Sequence, residues 1–540
     1  MKTSRLKLPL GIQTFEEIIT DNYIYVDKTR YLIDLIKNGK VYFFARPRRF
    51  GKSLTISTFE AIFLGKKHLF KGLYAEEYLN SREFKASPVI RLDMSKVTTH
   101  RGLEALDNSI KELILEISEI LNIKVPTNLP GSDIFRKLIL DTAKKYNQKI
   151  VILVDEYDSP YTEFVNDTTI AKSVRDILRN YYIQIKANDE YIRFVFITGI
   201  SKFARMGVFS TLNTATDISL MFEYAEMCGY TEEEIIKYFP DYLEETATYM
   251  KITPEELIAK MRYYYNGFCF DGNVKARLYN PFSTLAFFKE KEFYNYWIET
   301  GRSKLIGDYM KNQNLTVEQF RNYPVSRDFA KSPGDVDETP PAGFFYQCGY
   351  LTLRPGISDV LSLDYPNTEV LNSMSALVAQ NILNQTDNDY TFCRNDLLKG
   401  LMTLDYKKVV SSFNRLLASI PYDDFAKVAQ QSISVNDYEF KPQEWLYRST
   451  ILAFLRGCGV FVAGEMHTNK GRSDIVVFHK EKTWIIELKV AYENQCPAQK
   501  AKEAFQQITE KNYAKSYPNA FCIGMAIDDI KREITEIMVN

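Results

Sequence analysis

The sequence predicts an α/β chain in three parts: an N-terminal parallel sheet around a phosphate-binding loop, a mostly helical middle region, and a C-terminal α/β domain built on a hairpin. Three observations carry this. Val41-Tyr42-Phe43-Phe44-Ala45 is a buried-strand pattern that runs into a loop ending Gly51-Lys52-Ser53, with a helical run behind it. A second apolar run, Lys149 to Val154, ends in Asp155-Glu156. Near the C-terminus, two short β-branched and aromatic runs, Gly471–Phe478 and Trp484–Val490, bracket a polar turn. At 540 residues the chain is too long for one core, and these elements divide it at 1–225, 226–430 and 431–540.

Composition narrows the class. Apolar residues make up 45% and charged residues 25%, which is ordinary for a globular protein. The net charge of −1 gives no global field for nucleic acid, so any such contact must use local basic patches. One patch is the first 54 residues, with 11 Lys/Arg against 5 Asp/Glu. Seven scattered cysteines, none in C-x-x-C spacing, argue against a zinc site and a disulfide framework and favour a reducing, cytoplasmic setting. No apolar run approaches the roughly 20 residues that span a bilayer, and Met1–Lys7 lacks the apolar core of a signal peptide.

The loop Arg46-Pro47-Arg48-Arg49-Phe50-Gly51-Lys52-Ser53 sits where a P-loop would, between strand and helix, with Arg46 in place of the pattern's first glycine. In that layout the backbone from Arg46 through Arg49, Phe50 and Gly51 cradles the phosphates of ATP. Lys52 reaches the β/γ-phosphates and Ser53 binds Mg²⁺. Asp155 is placed to bind Mg²⁺ through water and Glu156 to polarise the attacking water. Tyr191–Gly199 supplies a third strand whose Thr198 can sense the γ-phosphate from between the other two, and Pro88–Asp93 supplies a fourth.

The middle reads as helices from 226 to about 325. Thr231-Glu232-Glu233-Glu234 and Thr253-Pro254-Glu255-Glu256 are helix starts, each with a cap followed by acids in the first turn. Val325 to Gly343, rich in proline and aspartate, reads as a linker. A mixed segment, Gly349–Arg354, precedes a helical stretch to about 420, and Ser432–Tyr438 reads as the entry to the last domain.

In the C-terminal hairpin, a turn centred between Lys480 and Glu481 places Asp474 opposite Glu487. Carboxylates paired across a ladder, about 5 Å apart at Cβ, repel. A shared divalent cation removes that penalty, and oxygen ligands suit Mg²⁺ or Mn²⁺ rather than zinc. Lys489 adds a cationic donor on the same face, while Trp484, Ile486, Leu488 and Val490 take the other.

This Asp474…Glu487-x-Lys489 hairpin resembles the core of the PD-(D/E)XK nuclease superfamily. The resemblance implies that Asp474 and Glu487 hold the metal and Lys489 orients or deprotonates water. It further implies that Glu444, on the helix before the hairpin, joins the metal site, and that Gln507 contributes from the helix after it. Ser473 stands where the motif has proline. Further upstream, Tyr25–Thr29, Arg46–Ser53, Val154–Asp158, Thr198–Phe203, Phe209–Asn213, Tyr265–Phe268, Tyr279–Phe282 and Gly349–Thr352 resemble predicted AAA-type ATPases fused to such a nuclease domain. That resemblance implies an AAA-like ATPase domain with a helical lid, ATP and Mg²⁺ as cofactors, and Mg²⁺-dependent cleavage of nucleic acid, DNA in preference to RNA. It also implies a homo-oligomer in which a neighbour's arginine completes the ATP site, with Arg205 as a candidate. An NTP-driven switch or nucleic-acid-binding protein with an inactive nuclease fold is the alternative.

Overall fold

The computed structural model describes residues 5–98, 102–162, 164, 168–200, 215–297, 317–326, 329, 341–356, 360–382, 387–418, 433–435, 438–440, 442–468, 471–479, 482–511, 517 and 519–539. Arg205, the Ser201–Phe203 and Phe209–Asn213 motifs and most of the 325–343 linker lie outside them. The chain forms two compact units where the sequence suggested three segments: Met1–Trp297 with Asn322–Thr368, and Ile298–Arg321 with Glu369–Asn540.

The first unit is built on a parallel sheet of order β2-β3-β4-β1-β5. Its strands are β1 (Val41–Ala45), β2 (Val89–Asp93), β3 (Ile150–Asp155), β4 (Ile192–Gly199) and β5 (Thr216–Asp217). Ile150 to Val154 are all wholly buried, as expected of a strand covered on both faces. Helix α1 (Lys52–Phe63) and the helix Gly131–Tyr146 lie against β3, and Leu103–Ile120 lies against β2. Phe44 of β1 pairs with Thr198, and Asp93 of β2 with Asp155, so the carboxyl ends of the strands align at one rim. Ligands of parallel α/β sheets bind at that rim.

Helices α2 (Glu232–Tyr238), α3 (Pro254–Tyr265) and α4 (Pro281–Glu290) follow. Both predicted starts are complete capping boxes, Thr231 with Glu234 and Thr253 with Glu256; each N-cap contributes about 1 kcal/mol. Their core of Phe239, Leu257, Met261, Tyr265 and Phe287 also contains Ile24 and Val26. Residues 226–297 therefore share apolar surface with the N-terminal segment, which is why they join its unit. The run is not purely helical: bridges join Tyr230 to Tyr279 and Phe268 to Leu278.

An antiparallel sheet of order β6-β8-β7 completes the unit, from β6 (Tyr323–Val325), β7 (Thr352–Pro355) and β8 (Leu361–Asp364). It corrects the linker at both ends. Val325 is buried in β6 opposite Leu361, and Pro341 opens the helix Pro341–Cys348. A three-residue strand beside prolines has too little periodicity to register as one.

The second unit carries a sheet of order β11-β12-β13-β14-β15, formed by β11 (Phe461–Thr468), β12 (Gly471–His479), β13 (Lys482–Ala491), β14 (Phe521–Asp528) and β15 (Glu533–Val539). The short strands β9 (Ile433–Val435) and β10 (Tyr438–Phe440) pair separately. β13 and β14 are parallel, so their connection must cross over; helix α6 (Pro497–Glu510) makes that crossing. Trp484, Ile486, Leu488 and Val490 share a core with Phe413 and with Phe454 of helix α5 (Pro442–Gly457). Ile485 packs on the opposite face with Val476 and Ile508. Among the described residues, no helix is long and apolar enough to cross a membrane.

Candidate functional site

In the first unit the loop after β1 turns through two left-handed residues, Arg49 (φ 65°) and Gly51 (φ 96°), before α1 begins at Lys52. Glycine takes that conformation at no steric cost, whereas the arginine pays for it. The turn aims the amino end of α1 into a cavity of about 350 Å³ lined by Arg48, Arg49, Phe50, Gly51, Lys52, Ser53 and Glu156. Its apolar remainder includes Ile12, Ile24, Val26, Met227 and Leu285. A helix amino terminus with exposed backbone donors is an anion site.

Lys52 is buried, and its Nζ donates to the carbonyls of Arg46 (3.0 Å) and Pro47 (2.9 Å), which holds the ammonium at the centre of the loop. Burial pulls its pKa below the ordinary lysine value, while Glu156, Asp155 and Asp158 oppose that shift. Asp155 closes β3 and accepts a hydrogen bond from Thr198 Oγ1 at 2.7 Å. Thr198 stands on β4, between β3 and β1, where the sequence placed it.

Glu156 has φ 50°, and the Tyr157 amide donates to the Thr198 carbonyl at 2.9 Å. That sharp bend separates two adjacent acids: Asp155 is held by Thr198 while Glu156 lines the cavity. Burial pushes the Glu156 carboxyl above its ordinary pKa, and Lys52 and Arg48 restrain the rise.

Arg46 does not join this cavity. Its guanidinium lies between the rings of Phe44 (4.2 Å) and Phe270 (4.4 Å) and donates to the carbonyls of Ala45, Ser219, Tyr224 and Ala225. Burial lowers its pKa to about 10. The side chain that replaces the pattern's glycine is thus a brace for the loop, and only its backbone carbonyl meets Lys52. Arg49 lines the cavity but donates to the Tyr296 carbonyl at 2.8 Å and stacks on Phe282. Phe50 is buried against Phe268 and Phe270. Sequence reasoning passed over Arg48, which lines the cavity beside Glu156; its chemical type was the only available signal.

In the second unit the β12–β13 ladder runs from His479↔Lys482 to Ile475↔Ile486, the register deduced from the turn. Asp474 is the next position along β12, and its side chain lies outside the described residues. Glu487 is 1% exposed. The Gln507 amide of α6 donates to its Oε1, as a buried carboxylate requires. Gly524 of β14 is the neighbour of Glu487 in the register. A Cβ there would lie 2.5 Å from the Phe505 amide nitrogen and 2.6 Å from the Ala501 carbonyl. The missing side chain lets α6 approach the sheet closely enough for Gln507 to meet Glu487. Lys489 is half-buried two residues further along β13, and Glu444 is half-buried in the first turn of α5. Among the described residues, no three His, Cys, Asp or Glu side chains form a metal-binding group.

The donor chemistry at both places fits a hard cation. Ser53 and Asp155 are a hydroxyl and a carboxylate, and Glu487 is the described carboxylate of the hairpin.

Two family models match the chain. One described as "Predicted AAA-ATPase" covers residues 9–209, and one described as "PD-(D/E)XK nuclease superfamily" covers residues 442–537. An uncharacterized protein in the vnfD 5′ region of Azotobacter chroococcum mcd 1 is 32% identical over 526 residues, covering 95% of this chain and 94% of the relative. Among solved structures, the Aeropyrum pernix ORC1 protein in complex with DNA is similar at 10% identity, over 64% of this chain and 91% of that one. Its TM-score of 0.26 is too low for any argument to rest on it.

Proposed function

The chain belongs to the family of predicted AAA-ATPases that carry a C-terminal domain of the PD-(D/E)XK nuclease superfamily, and on that premise we propose that it hydrolyses ATP and cleaves phosphodiester bonds in nucleic acid, DNA in preference to RNA. The observation that carries the ATPase half is the convergence of Lys52, Ser53 and Glu156 on one cavity, with Asp155, the residue before Glu156, held by Thr198.

Lys52 and the amino end of α1 bind the β/γ-phosphates. Ser53 and Asp155 would hold Mg²⁺, which neutralises phosphate charge when bound. Glu156 orients the attacking water and accepts its proton, and Thr198 fixes the Asp155 carboxylate through their hydrogen bond. In the C-terminal domain Asp474, Glu487 and Glu444 would hold Mg²⁺ or Mn²⁺, which supplies Lewis-acid stabilisation of the phosphate. Lys489 orients the attacking water, and Gln507 positions Glu487.

The test is purified full-length protein on DNA and RNA, with and without Mg²⁺ and ATP. Cleavage of DNA that needs Mg²⁺, responds to ATP and is lost in Asp474→Ala with ATP hydrolysis intact supports this reading. ATP hydrolysis with no cleavage of either polymer overturns the nuclease half and leaves a nucleotide-driven switch.

A further inference from the structure

We propose that Arg48 is a cation that stabilises the γ-phosphate during hydrolysis, supplied by the same chain that binds the ATP. The proposal rests on the ATPase reading above and names a residue for it. The loop carries three arginines, and the structure gives them different work. Arg46 is buried, with its guanidinium on four carbonyls. Arg49 is tied to the Tyr296 carbonyl and stacked on Phe282. Arg48 is half-buried, lines the cavity with Lys52, Ser53 and Glu156, and forms no hydrogen bond or ion pair with any described residue.

A guanidinium has five donors in a planar fork, and the charge of Arg48 already acts on the cavity's carboxylate, restraining the rise of the Glu156 pKa. A phosphoryl group presents the matching acceptors in a bidentate arrangement. Phosphoryl transfer puts growing negative charge on the γ-phosphate oxygens, and an arginine contributed by the nucleotide-binding chain itself can meet it. The water oxygen bonds to the γ-phosphorus, and the bond from that phosphorus to the bridging oxygen breaks with its electron pair remaining on ADP. Glu156 takes the water proton, and ADP and inorganic phosphate leave. Arg48 changes neither bond nor proton count; it lowers the barrier by holding charge.

The full-length chain is assayed as wild type, Arg48→Ala and Arg48→Lys, measuring kcat for ATP, Kd for a fluorescent ATP analogue, and Kd for ADP with aluminium fluoride. We expect Arg48→Ala to lose at least about 100-fold in kcat while ATP-analogue affinity falls less than about 10-fold. Affinity for the ADP–aluminium fluoride complex should fall in step with kcat, and Arg48→Lys should recover part of both. The proposal is overturned if Arg48→Ala keeps wild-type kcat or if it loses ATP affinity as much as turnover. A wild-type protein that binds no nucleotide overturns the ATPase reading itself, a result distinct from both.

Discussion

Thr198 Oγ1 donates to Asp155 Oδ1 at 2.7 Å, joining the ends of β4 and β3 beneath the phosphate loop. Both side chains are buried. Thr198→Val keeps the shape but leaves the carboxylate one donor short, which should cost about 1–3 kcal/mol of stability. Because the same carboxylate is proposed to hold Mg²⁺, ATP hydrolysis should fall as well. Thr198→Ser should restore both; urea denaturation and ATPase assays of the pair decide it, and a fully stable Thr198→Val would remove the bond's importance.

Lys52→Ala and Glu156→Gln should separate binding from chemistry. The first removes the cation at the centre of the loop, so tight ATP binding should disappear. The second leaves the loop intact and removes only the proton acceptor, so ATP should bind and persist unhydrolysed. Equilibrium binding and single-turnover measurements distinguish the two, and wild-type affinity in Lys52→Ala would refute the phosphate-loop assignment.

Arg46→Gly restores the glycine of the usual loop pattern, yet it should weaken the protein. It removes the donors serving the carbonyls of Ser219, Tyr224 and Ala225 and empties the space between Phe44 and Phe270. A loss of about 2–4 kcal/mol is expected from the truncated buried side chain and its abandoned acceptors. Denaturant midpoints of wild type and variant measure it directly.

Gly524→Ala should affect cleavage without touching a carboxylate. The new Cβ meets backbone atoms of α6, so the helix must shift, at about 1–3 kcal/mol. Gln507 then loses its reach to Glu487. Reduced nuclease activity with ATP hydrolysis unchanged is the expected result, and normal cleavage would show that the close approach has no part in the site.

Glu232 gives a pH test of the helical layer. Its hydrogen bonds from Arg262, chiefly, and from Tyr279 hold its carboxyl below the ordinary pKa, despite a smaller opposing effect of burial. A depressed carboxyl stabilises the fold above its unfolded pKa and loses that contribution as pH falls through the folded value. Glu232→Gln should therefore cost about 0.5 kcal/mol at pH 7, since Arg262 is largely exposed. The gap to wild type should close on acidification below the ordinary carboxylate range; thermal melts at both pH values show whether it does.

Strand runs such as Ile150–Val154 and capping boxes such as Thr231/Glu234 were legible in the sequence because periodicity and local chemistry fix them. The hairpin register was legible because turn length sets strand pairing. Arg46 was not. Its role depends on carbonyls more than 170 residues away, and no local pattern encodes such a partner. The contact of Gln507 with Glu487 depends on Gly524 in a third element, so sequence reasoning could name the helix but not the reason it sits so close.

The grip of Arg46 on Ser219, Tyr224 and Ala225 also has a mechanical consequence. Those carbonyls belong to the stretch that leaves β5 and leads to the capping box of α2. The first residue of the phosphate loop is therefore tied by its own side chain to the connector that leads into the helical layer. A glycine at this position would have no side-chain donor to offer those carbonyls, so the loop and the connector would be joined by one tie fewer.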